Sequence, residues 1–166
     1  ISAGFANDTL EGNAGHDIIY AGSAFFDSVT GQFGGNVVTG GDGNDFLDAS
    51  MGNDTMAGDA GSDTINAGDG ANSVSGGADN DYISAYFGND TLSGGDGHDT
   101  LIGGATSYNG VTSVWGVQYL TGGDGHDSLV GGYGTDVISG DAGNDTIDGG
   151  DNPNTISGGS GADRIH

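Results

Sequence analysis

The chain has 166 residues, of which 38 are Gly, and its one basic residue, Arg164, faces 24 Asp and Glu, giving a formal charge of −23. That charge excludes nucleic acid and anionic lipid as natural partners, and without counterions it would keep the chain expanded. With no Cys there is no disulfide to hold a fold together, and no run of about 18 apolar residues is present for direct membrane insertion.

From the N-terminus the chain falls into nine-residue coils. Residues 3–11 and 12–20 are the first two, and both end in Asp-x-aliphatic-x. Residues 21–30, AGSAFFDSVT, are ten long. They end in an aliphatic-x pair, Val29-Thr30, and read as a coil carrying a one-residue bulge, with Asp27 at its acidic position. Regular coils resume at residue 31 and run to residue 102. A second ten-residue coil, GGATSYNGVT at 103–112, places Asn109 at the acidic position, and regular coils follow to the end. The whole pattern repeats at 82 residues: Ile1-Ser2-Ala3 returns as Ile83-Ser84-Ala85, and Asn7-Asp8-Thr9-Leu10 as Asn89-Asp90-Thr91-Leu92. The reading is one domain, 1–166, of two tandem units, 1–82 and 83–164, cut from a longer array.

Within a coil numbered 1 to 9, position 8 is aliphatic in all 16 regular coils, from Leu10 to Ile165. A single inward aliphatic per nine residues makes a core only if coils stack, as in a solenoid. Such a thin core is too little to order so glycine-rich a chain, so the fold needs another source of energy. Position 6 is Asp8, Asp17, Asp45, Asp54, Asp63, Asp81, Asp90, Asp99, Asp127, Asp136, Asp145 and Asp163, with Asn36, Asn72, Gln118 and Asn154 in the remaining coils. Carboxylates beside glycine turns whose carbonyls are free to aim inward are hard oxygen ligands, suited to calcium. Binding of several ions per chain would then be part of folding itself.

The motif Gly-Gly-x-Gly-x-Asp-x-aliphatic-x, seen in Gly40–Asp48 (GGDGNDFLD), Gly94–Ile102 (GGDGHDTLI) and Gly122–Val130 (GGDGHDSLV), resembles the calcium-binding nonapeptide of the RTX (repeats-in-toxin) family. The likeness covers essentially the whole chain. It implies an all-β fold, a right-handed parallel β-roll with two coils per turn. It also implies calcium held between coils i and i+2 by the position-6 Asp of both and by turn carbonyls. The twelve Asp take that role, while Asp27, Asn36, Asn72, Asn109, Gln118 and Asn154 make weaker sites because the amides bring no charge. If the ten-residue coils count as half-turns, each unit has nine, and equivalent positions of the two units fall on opposite edges. Asp45, Asp63, Asp81 and Asp99 then line one edge and Asp127, Asp145 and Asp163 the other, in a rod of about nine turns and roughly 43 Å at the usual strand spacing.

Position 3 is large and apolar at Phe5, Phe33, Met51, Phe87, Trp115 and Tyr133. Phe33 with Met51, and Trp115 with Tyr133, are expected to form one patch on each edge, fit for lateral or head-to-tail self-association. His16, His98 and His126 all sit at position 5 and read as solvated turn residues interchangeable with Asn44 or Asn53. The Thr at position 7 is interrupted by Ile18, Val37, Phe46, Tyr82, Tyr119 and Val137, which fits β-propensity better than a regular binding array. No nucleophile, zinc motif or acid–base pair stands out, so no enzyme is expected. The all-repeat character is similar to oscillin-like and surface-layer proteins. It points to a calcium-folded structural repeat at a bacterial cell surface, exported by a type I route. The alternative is the C-terminal RTX module of a type I-secreted toxin or hydrolase. Ligand carboxylates would release calcium as pH falls toward 4.

Overall fold

The computed structural model describes residues 1–3, 7–22, 26–27, 32–104 and 117–166. The described residues are all β, with no helix among them, and both main sheets are parallel. The first sheet stacks β1 (Thr9–Ala14), β5 (Val37–Asp42), β7 (Thr55–Ala60), β9 (Ser73–Ala78), β11 (Thr91–Asp96), β13 (Tyr119–Asp124), β15 (Val137–Ala142) and β17 (Thr155–Ser157), in that order. The second stacks β2 (Ile18–Tyr20), β6 (Phe46–Asp48), β8 (Thr64–Gly68), β10 (Tyr82–Ala85), β12 (Thr100–Ile102), β14 (Ser128–Val130), β16 (Thr146–Asp148) and β18 (Arg164–Ile165). Successive coils alternate between the two sheets, so the chain winds as a parallel β-solenoid.

The core is the ladder expected of position 8. Val38, Met56, Val74, Leu92, Leu120 and Ile138 of the first sheet meet Ile19, Leu47, Ile65, Ile83, Leu101, Leu129 and Ile147 of the second, all buried. Leu10 and Ile156 pack against its ends. Position 1 adds methyls that the periodicity did not single out: Ala21, Ala49, Ala67 and Ala85 are buried in the same cluster. Turns are tight enough that neighbouring backbones touch. Gly43 takes φ 128°, and a Cβ there would overlap the carbonyl of Gly15 in the next coil, which only glycine avoids.

The ten-residue segments depart from expectation. Most paired strands are 18 residues apart, as in Val37 with Thr55. Across residues 21–30 the partners are instead 28 apart, Thr9 with Val37 and Ile18 with Phe46. Across 103–112 they are again 28 apart, Thr91 with Tyr119 and Thr100 with Ser128. The pairing of both main sheets therefore passes over ten residues in each unit. Ala21 and Gly103, which open the two ten-residue coils, are still hydrogen-bonded to the carbonyls of Asp48 and Val130, and most of the remainder of these coils lies outside the described residues. Of the first segment, β3 (Phe26–Asp27) pairs antiparallel with β4 (Gln32–Phe33), apart from both main sheets. Each sheet has eight strands, short of the nine turns expected. The physical reason is register: direct pairing at a spacing of 28 keeps the inward aliphatics of the nine-residue coils in phase, Leu10 on Val38 and Leu92 on Leu120.

Each unit then contributes eight half-turns. Equivalent positions of the two units fall on the same edge, reversing the expected exchange of edges. Deletion of residues 22–31 joins Ala21 to Gln32 and restores the 18-residue spacing. The shortened chain is expected to retain its calcium-dependent β signal in circular dichroism, with an unchanged number of cooperative transitions. Loss of that signal would show that the segment belongs to the stack.

Candidate metal-binding edges

Both edges of the solenoid are built from position 6. On the edge leading from first to second sheet, the backbone N–H of each Asp donates to Oδ1 of the Asp one turn on. The ladder runs Asp17, Asp45, Asp63, Asp81, Asp99, Asp127, Asp145, Asp163, with N···O distances of 2.7, 2.7, 2.8, 2.8, 2.9, 2.9 and 3.0 Å. It crosses the unit boundary at Asp81–Asp99 and the second ten-residue coil at Asp99–Asp127 without a break. Asp127, Asp145 and Asp163 therefore share an edge with Asp45, Asp63, Asp81 and Asp99. The opposite-edge expectation fails because the pairing passes over ten residues in each unit.

The other edge carries the same ladder through Asp8, Asn36, Asp54, Asn72, Asp90, Gln118, Asp136 and Asn154. Carboxylate and amide alternate strictly along it. The four amides looked like scattered exceptions in the sequence; in space they occupy every second coil of a single edge. Asp27 is described only in its main chain, in β3, and Asn109 lies outside the described residues.

Oδ1 is used by the ladder, and Oδ2 is left over. In Asp8, Asp17, Asp45, Asp54, Asp63, Asp81, Asp90, Asp99, Asp127, Asp136 and Asp145, Oδ2 is buried without any hydrogen-bond partner. A charged atom in that position is costly unless a cation or a proton meets it. The surroundings identify which. A Cβ placed on Gly94 would sit 2.6 Å from the carbonyl oxygen of Gly122 and against Oδ2 of Asp99. Gly76, Gly122 and Gly140 stand in the same relation to Asp81, Asp127 and Asp145 and to the next coil's carbonyl. In each cradle a carboxylate oxygen and a main-chain oxygen converge on the glycine, so closely that a side chain there would clash with both. Among the described residues no three acidic or His side chains meet at one point. The cages are thus mixed carboxylate–carbonyl cages, which suit a hard cation such as calcium.

Burial pushes these carboxyls up despite the N–H that each accepts. Asp54, Asp63 and Asp90 rise to about 6 and Asp81 to about 7, with Asp99, Asp127 and Asp136 also raised. For Asp63 and Asp81, neighbouring Asp charges add to the effect of burial.

Position 5 forms a second ladder on the all-Asp edge, which the sequence reading missed. Asn44 N–H donates to Nδ1 of His16, Ser62 N–H to Oδ1 of Asn44, and His98 N–H to Oδ1 of Asn80. His126 N–H then donates to Nδ1 of His98 and Asn144 N–H to Nδ1 of His126. The rings of His98 and His126 stack at 4.9 Å. These His are exposed turn residues, as expected, yet they are adjacent and bear the ladder through a lone pair on Nδ1. The interchange with Asn is physical: each offers one acceptor at the same place.

The apolar position-3 residues also change edge. Met51 belongs to the coil of Asp54 and Tyr133 to that of Asp136, so both lie on the carboxylate–amide edge, where Phe87 is exposed as well. Trp115 lies outside the described residues, and only the main chain of Phe33 is described.

The RTX calcium-binding nonapeptide repeat model matches residues 1–25, 22–56, 30–65, 48–83, 57–92, 75–106, 121–153 and 140–166. The chain belongs to this family. No curated protein sequence matches it significantly. Membership accounts for the orphaned Oδ2 atoms and the glycine cradles: this RTX chain is a calcium-binding repeat protein in its family and its architecture.

A carboxyl raised above its unfolded value of 3.8 favours the folded chain when protonated. In chelator, that contribution is complete below about pH 4 and is lost as pH rises through about 6 to 7. Calcium binding has the opposite dependence, because the ion competes with the same protons. In chelator the β signal is therefore expected to be strongest near pH 4 to 5 and to weaken as pH rises through about 6 to 7, whereas calcium-driven folding starts from an unfolded chain with ordinary carboxyls and weakens only as pH falls toward about 4. Circular dichroism at several pH values, in EDTA and in calcium, checks this; a β signal in EDTA that does not change between about pH 5 and 8 would contradict it.

Proposed function

We propose that this chain is a calcium-rigidified structural repeat of a bacterial extracellular surface protein, as in a surface layer, fibre, sheath or adhesin stalk. The observation that carries the reading is the unbroken ladder from Asp17 to Asp163, which makes the whole chain a single continuous rod. Calcium is bound by the position-6 carboxylates with turn carbonyls. RTX repeats occur in secreted bacterial proteins, and calcium abundant outside the cell would fold a chain that left it unfolded, consistent with type I export. No reaction is assigned to the chain.

Self-association is supported by the distribution of charge. The outward residues of the first sheet include Thr9, Thr39, Thr55, Ser73, Ser75, Thr91, Ser93, Thr121, Ser139 and Thr155, and Glu11 is the one charge among its strands' position-7 and position-9 residues. This stripe of low charge, bordered on one side by the exposed Asp42, Asp59, Asp96, Asp124 and Asp141, is where two copies of a chain of charge −23 approach with least repulsion. The adjoining edge adds Met51, Phe87 and Tyr133, with Phe33 and Trp115 at the same repeat position.

Sedimentation velocity in millimolar calcium and in EDTA tests the proposal. Large assemblies that form only in calcium are expected. A compact monomer in calcium that merely expands in EDTA would instead favour the C-terminal module of a secreted toxin or hydrolase.

A further inference from the structure

The two edges share one ladder and an unpartnered Oδ2 on their carboxylates, and differ in how many carboxylates flank each interval and in what the amides bond. On the all-Asp edge, position 1 is Gly in every coil: Gly12, Gly40, Gly58, Gly76, Gly94, Gly122, Gly140 and Gly158. Each interval between coils there is flanked by two carboxylates, each interior one shared with the next interval, so a cation meets carboxylate on both sides. On the other edge, position 1 is alanine at Ala3, Ala49, Ala67 and Ala85, while Gly131 and Gly149 keep glycine and Gly103 packs against Gln118. Each interval has one carboxylate and one amide, because the two alternate.

The amides also use the carbonyls that a cation would need. Nδ2 of Asn154 donates to the carbonyl of Gly149 at 2.8 Å. That carbonyl is the one that converges with Oδ2 of Asp136, since a Cβ on Gly131 would lie 2.7 Å from both. Nε2 of Gln118 reaches across the interval to the carbonyl of Gly88, in the coil of Asp90, at 3.0 Å. Nδ2 of Asn72 donates to Gly68 and Gly70 at 3.3 and 3.4 Å, and that of Asn36 to Gly22 at 3.3 Å. In all four amide coils, then, a side-chain N–H holds a turn carbonyl. A cation entering there must displace an N–H donor and find half the compensating charge.

Resting on the calcium-binding reading above, we infer that calcium loads tightly along one edge only, the edge of Asp17, Asp45, Asp63, Asp81, Asp99, Asp127, Asp145 and Asp163. On the other edge the amides hold turn carbonyls that a cation would use, and each interval keeps a single unpartnered carboxylate oxygen, from Asp8, Asp54, Asp90 or Asp136. The chain is a one-sided calcium spine: ion binding and charge neutralisation run along one edge, leaving the amide edge, with its exposed Met51 and Phe87, free of the calcium requirement.

Calcium titration of the whole chain by isothermal calorimetry, with ions counted by flow dialysis, tests this. Eight coils leave seven intervals on the Asp edge, so a tight class of about seven ions is expected. Asp81→Asn should remove about two ions from that class, whereas Asp90→Asn should leave it unchanged. Both variants retain the Oδ1 acceptor that the ladder requires. Asn72→Asp, which makes Asp54, residue 72 and Asp90 a continuous carboxylate run, should add about two tight ions, and it keeps the test decisive even if Asp81→Asn fails to fold. A single class of about fourteen ions, equal losses from the two Asp variants, or no gain from Asn72→Asp would overturn the inference while leaving calcium binding intact. Absence of calcium uptake by the unaltered chain would overturn the calcium reading itself.

Discussion

The structure depends on a buried carboxylate that does two jobs with two oxygens. Oδ1 takes the backbone N–H of the neighbouring coil and sets the stacking distance; Oδ2 is left facing a carbonyl with no donor. In an apolar surround the first oxygen stabilises the stack and the second opposes it. Stacking and cation binding are therefore inseparable here: the group that sets the register of the coils is the group that demands a counterion. A core one aliphatic wide cannot offset that demand by itself.

The same ladder explains why the pairing passes over ten residues in each unit. A β-solenoid tolerates insertions where the chain turns and resists them within the register, because a slip of one residue would move every inward aliphatic to the outside. With pairing at 28-residue spacing, Leu10 still stacks on Val38 and Leu92 on Leu120, and Asp17 and Asp99 still reach their partners. Parity follows from this. With an even number of half-turns per unit, the chemistry of an edge accumulates along the rod instead of averaging between its two sides.

Accumulation is what gives the rod two unlike edges. One collects eight carboxylates, eight glycine cradles and the His–Asn acceptor ladder. The other collects the four amides, most of the position-1 Ala and the exposed apolar side chains. Positions 7 and 9 of the first sheet carry one charge, Glu11, while the exposed Asp42, Asp59, Asp96, Asp124 and Asp141 gather at the ends of its strands next to the all-Asp edge. A strongly acidic repeat protein can in this way keep its charge where cations neutralise it and present low-charge surfaces elsewhere.

The sequence by itself determined the nine-residue coil, the parallel solenoid, the inward aliphatic ladder and the family, because each is a local rule repeated at fixed spacing. It also singled out every position-6 residue. Tertiary structure alone decided which of those residues are neighbours. Whether Asp99 faces Asp127, and whether Asn72 sits among carboxylates or among other amides, depends on whether ten residues join the pairing or are passed over. That choice is made by pairing energies between coils far apart in sequence, and Val29-Thr30 and Val111-Thr112 look in register while the ladder passes them by. The amide N–H bonds to Gly149 and Gly88, and the stacked His98 and His126, were likewise invisible beforehand, since they join coils whose adjacency the periodicity left open.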